Sequence, residues 1–116
     1  MGYQVRELVN ASGVSPWRRW VDSLDVRARA RVRLRIWRVH HGNLGDHRSV
    51  GKGVWEPRLR FGSGYRVYFG LTEGGRVVLL LTGGDKNSQR RDIQRAHKLW
   101  QGYGGKTDGR QKSRLE

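Results

Sequence analysis

Val54-Trp55-Glu56-Pro57-Arg58-Leu59-Arg60-Phe61, Tyr65-Arg66-Val67-Tyr68-Phe69-Gly70-Leu71 and Arg76-Val77-Val78-Leu79-Leu80-Leu81-Thr82 follow one another closely, with the turns Gly62-Ser63-Gly64 and Glu73-Gly74-Gly75 between them. Three short β-prone runs punctuated by glycine predict an antiparallel meander. The third run is apolar at consecutive positions, so both its faces are covered and it belongs in the middle of the sheet. Pro57 lacks an amide hydrogen and predicts an edge or a bulge in the first run.

Upstream of the meander the period changes from two to 3.6. Ser15 and Pro16 form a capped helix start, and Trp17, Trp20, Val21 and Leu24 fall on one helical stripe. Asp25 caps a second helix that runs to about His41 and stops at Gly42-Asn43. Its expected buried stripe is Ala30, Leu34 and Trp37, with Val32, Ile36 and Val39 beside it. Arg31, Arg35 and Arg38 would form a solvated opposite side or, alternatively, touch RNA or a partner. Tyr3 to Val9 reads as a first strand, and Gly42 to Gly53 as a turn-rich connection. Downstream of Gly83-Gly84, a last helix starts at Asn87 or Ser88 and buries Ile93, Ala96 and Trp100. The expected fold is α+β, in the order β-α-α-β-β-β-α, with a twisted, mostly antiparallel sheet packed on an N-terminal helical hairpin. One domain over residues 1–103 and a flexible basic tail over 104–116 account for the whole length.

Charge narrows the partners. Lys and Arg number 24 against 10 Asp and Glu, a formal net charge of +14 in 116 residues. So strong a cation is suited to polyanions: nucleic acid, the ribosome or an acidic protein. The chain has no cysteine, which removes disulfides and thiolate metal sites. With no membrane-length apolar run and no signal-peptide core, a cytoplasmic protein without a membrane partner is expected. No cofactor or metal is expected either, because His47 and His97 lack metal-ligand spacing. His40 and His41 suit a helix C-terminus instead.

Alternation within the strands sorts the chemistry. Leu59, Phe61, Val67 and Phe69 point to a core, which turns Arg58, Arg60, Arg66 and Tyr68 to the other surface. Lys86 joins them from Gly83-Gly84-Asp85-Lys86-Asn87-Ser88, at a helix start where free N–H groups favour an anion. Four cations converging beside a tyrosine make a phosphate-binding surface. Gly51-Lys52-Gly53 lacks the spacing of a nucleotide-binding P-loop.

Several segments, in order, carry a family likeness: Ala28-Arg29-Ala30-Arg31-Val32, Gly42-Asn43-Leu44-Gly45-Asp46, Ser49-Val50-Gly51-Lys52-Gly53-Val54, Gly64-Tyr65-Arg66-Val67-Tyr68-Phe69 and Leu79-Leu80-Leu81-Thr82-Gly83-Gly84-Asp85-Lys86, with Gln89 and Asp92-Ile93. Spanning about Trp17 to Trp100, they resemble the RelE/ParE toxin superfamily of type II toxin–antitoxin modules, in its HigB-like addiction module killer branch. That resemblance implies a RelE-like fold and a ribosome-dependent mRNA endonuclease that arrests translation. It also implies mRNA and the ribosome as targets, and a cognate antitoxin with a helix-turn-helix DNA-binding part, through which alone operator DNA would be contacted. In such enzymes the RNA 2′-OH attacks the neighbouring phosphate. Carried over, Arg66 is the phosphate clamp, Arg58 and Arg60 assist, Lys86 lies near the scissile phosphate and Tyr68 is a proton donor. The sequence departs from the family in having no tyrosine or histidine between Asn87 and Ile93, and in placing Glu56-Pro57 before the strand arginines. A ParE-type poison of DNA gyrase and an inactive basic RNA-binding module are the alternatives.

Overall fold

A computed structural model describes residues 2–106. The elements are β1 (Gln4–Glu7), α1 (Pro16–Asp22), α2 (Val26–His40), β2 (His47–Ser49), β3 (Val54–Pro57), β4 (Arg66–Thr72), β5 (Val77–Gly84), a short 3₁₀ turn (Lys86–Ser88) and α3 (Gln89–Tyr103). The protein is α+β, with one five-stranded mixed sheet in the order β1-β5-β4-β3-β2. β1 pairs with β5 in parallel, and the other neighbours are antiparallel.

Two apolar layers hold the sheet from opposite sides. The α1–α2 hairpin brings Trp17, Val21, Val32 and Val39 onto Val67, Phe69, Val78 and Leu80. On the other face α3 brings Ala96 and Trp100 onto Val54, Tyr68, Leu79 and Leu81. All eight residues of β5 are buried, as its unbroken apolar run requires in a strand covered on both faces. Gly70 and Gly83 make room for two indoles: a methyl at Gly70 would overlap the Trp100 ring, and one at Gly83 the Trp20 ring. Trp100 is 1% exposed, and truncating so buried an indole typically costs roughly 3–5 kcal/mol.

Ser15 caps α1 by accepting from the Arg18 amide at 3.0 Å, and Asp25 caps α2 by accepting from the Ala28 amide at 2.9 Å. Several expectations need correction. A fifth strand, β2, forms within the turn-rich connection and pairs with β3 through His47↔Pro57, Arg48↔Glu56 and Ser49↔Trp55. β3 is therefore not an edge strand. Instead its ladder to β4 covers Val54 and Trp55 and then lapses until the Arg58↔Arg66 bridge. Pro57 falls in that gap, where no donor is required.

The buried stripe of α2 is also rotated from the expected one. Ala28, Val32 and Val39 face the core, whereas Leu34 is 47% and Trp37 57% exposed. Two apolar stripes fit the helical period, and the β-branched one packs on the sheet. Nor is Arg35 a solvated residue. Its guanidinium donates to the carbonyls of Arg58 (2.7 Å), Leu44 (2.7 Å) and Asp46 (2.9 Å), fastening the connection to the hairpin. Burial lowers its pKa from the usual arginine value.

The start of the expected tail is packed rather than loose: Trp100 Nε1 donates to the Lys106 carbonyl at 2.8 Å, and the Gly105 amide to the Trp100 carbonyl at 2.9 Å. The remainder, residues 107–116, lies outside the described residues. No helix among the described residues is long and apolar enough to cross a membrane.

Candidate functional site

Between the end of β3 and the start of β4 the chain loops through residues 58–65, and the 3₁₀ turn after β5 comes up beside it. Together they enclose an open cleft of about 550 Å³, lined by Arg58, Arg60, Arg66, Lys86 and Asn87 with the Gly62-Ser63-Gly64 turn. The four cations picked out from the sequence thus share one concavity. No acidic side chain of the described residues is in the lining, so the site is electrostatically matched to an anion.

Gly64 is the pivot of this arrangement. Its φ of +75° is the left-handed conformation glycine tolerates. A Cβ there would lie 3.1 Å from Arg66 Nη1 and 3.2 Å from Lys86 Cβ. The side chains of Arg66 and Lys86 therefore flank the same backbone atom. Arg66 Nη1 donates to the Gly64 carbonyl at 2.6 Å, and the Lys86 amide donates to the Ser63 carbonyl at 3.3 Å. The loop and the 3₁₀ turn are tied together.

Arg58 and Arg60 are held from outside the cleft by Asp46, which accepts from Arg58 Nη2 at 3.2 Å and from Arg60 Nη2 at 2.7 Å. Those hydrogen bonds hold the Asp46 carboxyl below the usual carboxylate range. Asp46 offsets part of the charge of this pair.

Tyr68 is not on the cleft surface. It is fully buried, because α3 covers the sheet face that alternation left facing solvent. Its hydroxyl donates to Glu56 Oε2 at 2.8 Å. Burial, and then that hydrogen bond, push its phenol well above the ordinary tyrosine value, which keeps it protonated and occupied. Likewise, the helix-start N–H groups expected to greet an anion are already satisfied. Asp85 accepts from the Asn87 amide at 2.9 Å and the Ser88 amide at 3.2 Å in a capping box. Lys86 reaches the cleft; the backbone donors do not.

Glu56 is the residue that sequence reasoning undervalued. It is 0% exposed, and its carboxylate accepts from Arg48 Nε at 2.9 Å, Tyr68 Oη at 2.8 Å and Gln89 Nε2 at 2.8 Å. Arg66 Nε lies 3.7 Å from the same carboxylate and has no hydrogen-bond partner among the described residues. A buried carboxylate is expensive unless paired. Here the pairing joins β2, β3, β4 and α3 behind the cleft and backs Arg66 with negative charge. The one sequence signal was an acidic residue in a strand with arginines on neighbouring strands. Each of the four histidines bonds a backbone carbonyl, of Tyr3, Trp37, Gly45 or Val50.

Fold and site together define an α+β protein with a cationic cleft backed by a buried carboxylate. No protein-family model matches the chain. It is 44% identical over 86 residues to an uncharacterized protein of Haemophilus influenzae, a match that covers 73% of this chain and 86% of that one. The chain belongs to the family of that protein.

Proposed function

We propose that this protein is a RelE/ParE-type toxin of a type II toxin–antitoxin module that cleaves mRNA on the ribosome, with the cleft as its RNA site. The observation that carries the reading is the convergence of Arg58, Arg60, Arg66 and Lys86 on one open cleft whose lining, among the described residues, holds no acid. Arg66 and Lys86, flanking Gly64, take the two non-bridging oxygens of the scissile phosphate. As the 2′-oxygen bonds to phosphorus, negative charge grows on those oxygens and both cations stabilise it. The P–O5′ bond then breaks, leaving a 2′,3′-cyclic phosphate and a 5′-OH; the 2′-OH passes its proton to solvent water and the 5′ oxygen gains one. Tyr68, buried and bonded to Glu56, takes no part. In this reading the Lys86 ammonium supplies the proton to the leaving oxygen. The RelE-like fold assignment, the cognate antitoxin as inhibitor and a cytoplasmic site of action belong to the same proposal.

One observation favours a second reading, a basic RNA-binding module without cleavage: the cleft lining contains neither tyrosine nor histidine. Mapping the 5′ ends of a translated mRNA after brief induction separates the two. The endonuclease reading expects discrete new ends within the coding region, absent with Arg66→Ala. Intact mRNA together with retained RNA binding supports the module, and growth arrest with intact mRNA and no RNA binding turns the assignment to a gyrase poison.

A further inference from the structure

Another concavity adjoins the cleft. It measures about 400 Å³ and is lined from α2 by Arg31, Leu34, Arg35 and Arg38. Its other wall is Arg58, Leu59, Arg60 and Phe61, which also line the cleft. Arg31 sits over the Phe61 ring at 4.9 Å, closing the junction between the two.

Beyond this groove lies the exposed stripe of α2. Trp37 is 57% exposed and stacked on His41, with ring centroids 3.9 Å apart and planes 28° apart. One turn back, Leu34 is 47% exposed. The sequence of α2 contains six arginines and no acidic residue. Apolar side chains on an all-cationic helix repel a second copy of the same face and suit a polyanion that carries flat apolar groups. Single-stranded nucleic acid has that composition, with phosphates for the guanidiniums and bases for the aromatic ring.

We infer that α2 and the adjoining groove form an extended single-stranded RNA track, in which a nucleotide flanking the one held in the cleft stacks its base on Trp37. The inference rests on the cleft being an RNA site and adds the direction in which the strand leaves it. Arg58 and Arg60 serve both segments, Arg31 and Arg38 carry the backbone along α2, and the Trp37–His41 pair presents a pre-stacked platform. Base stacking on an aromatic side chain tolerates any sequence, so the track lengthens the footprint without narrowing the base preference.

The test uses a fluorescein-labelled 12-nucleotide oligouridylate and anisotropy titrations across a salt series. Trp37→Ala is expected to bind about tenfold more weakly with an unchanged salt slope, since no charge is lost. Trp37→Phe should retain most of the affinity. Both variants should unfold at the wild-type temperature, because Trp37 lies on the surface. Arg66→Ala reports on the cleft independently. If it weakens binding while Trp37→Ala binds like wild type, the track is overturned and the cleft stands; the stripe is then a protein contact, which an acidic amphipathic peptide would reveal. Absence of RNA binding by the wild type overturns both.

Discussion

Glu56→Gln tests the network on which the cleft rests. The substitution preserves volume but replaces one carboxylate oxygen with an amide donor. Three donors converge on Glu56, from Arg48, Tyr68 and Gln89, so at least one faces the new NH₂. The Tyr68 hydroxyl can rotate and the Gln89 amide can turn over; the Arg48 guanidinium has no acceptor to offer. With the new oxygen turned to Arg48 and both Tyr68 and Gln89 reversed, the contacts persist but lose the carboxylate charge that makes such bonds worth about 1.5–3 kcal/mol, and Arg66 loses the negative charge 3.7 Å from its Nε. Because the Arg48 side chain is 51% exposed, water recovers part of its loss. We therefore expect roughly 2–4 kcal/mol of destabilisation, below the upper range for breaking a fully buried ion pair. In a domain of this size that lowers Tm by about 8–16 °C. Urea denaturation followed by tryptophan fluorescence measures it, and a double-mutant cycle with Tyr68→Phe should give coupling of about 1 kcal/mol. A loss below about 0.5 kcal/mol for Glu56→Gln would refute the reasoning that this carboxylate holds the sheet and Arg66 together.

Gly70→Ala drives a methyl into the Trp100 ring and should cost at least about 1–3 kcal/mol, read from the same denaturation curves. Gly64→Ala strains a left-handed residue and crowds Arg66 and Lys86, so RNA affinity should fall more than stability; equal affinity to wild type contradicts the pivot. Asp46 is held below its ordinary pKa by Arg58 and Arg60. Its contribution to stability is therefore complete above the unfolded value near ~4 and is lost as pH falls through the lowered folded value. Acid titration of the denaturation midpoint should show a fall below that pH that is smaller in Asp46→Asn. Tyr68, with its phenol raised, works at the other end. The unfolded state ionises near ~10 while the folded state holds its proton, so stability declines as pH rises above ~10. Ultraviolet titration should show one tyrosine ionising only with alkaline unfolding, and Tyr68→Phe should lack that step.

Much of this was legible in the sequence because local rules and the tertiary fold agree. The meander, the capped hairpin and the α3 stripe of Ala96 and Trp100 all rest on periodicity and punctuation, and all are present, although the first meander strand stops at Pro57 instead of running to Phe61. What escaped depended on what covers what. β2 is three residues, His47-Arg48-Ser49, too short and polar for alternation to register. Tyr68 alternates correctly away from the hairpin core, but the strand pattern carries no information that α3 lies over that face. On α2 two stripes compete, and only the sheet decides that Val32 goes in and Trp37 stays out. Arg35 looked like one more surface arginine, since its three carbonyl acceptors come from residues 44, 46 and 58, nine or more positions away. The cationic cluster itself was found because all four members lie within 29 positions of one another, Arg58 and Arg60 in the loop before β4, Arg66 at its start and Lys86 in the turn after β5.

The salt dependence of RNA affinity measures most directly whether the cleft holds RNA phosphates. Plotted as log K against log salt, wild-type binding to single-stranded RNA should fall steeply. Arg66→Ala and Lys86→Ala should each make the slope shallower by about 0.7, the value for one lost phosphate contact on a single strand. Slopes that match wild type in both variants would contradict the account.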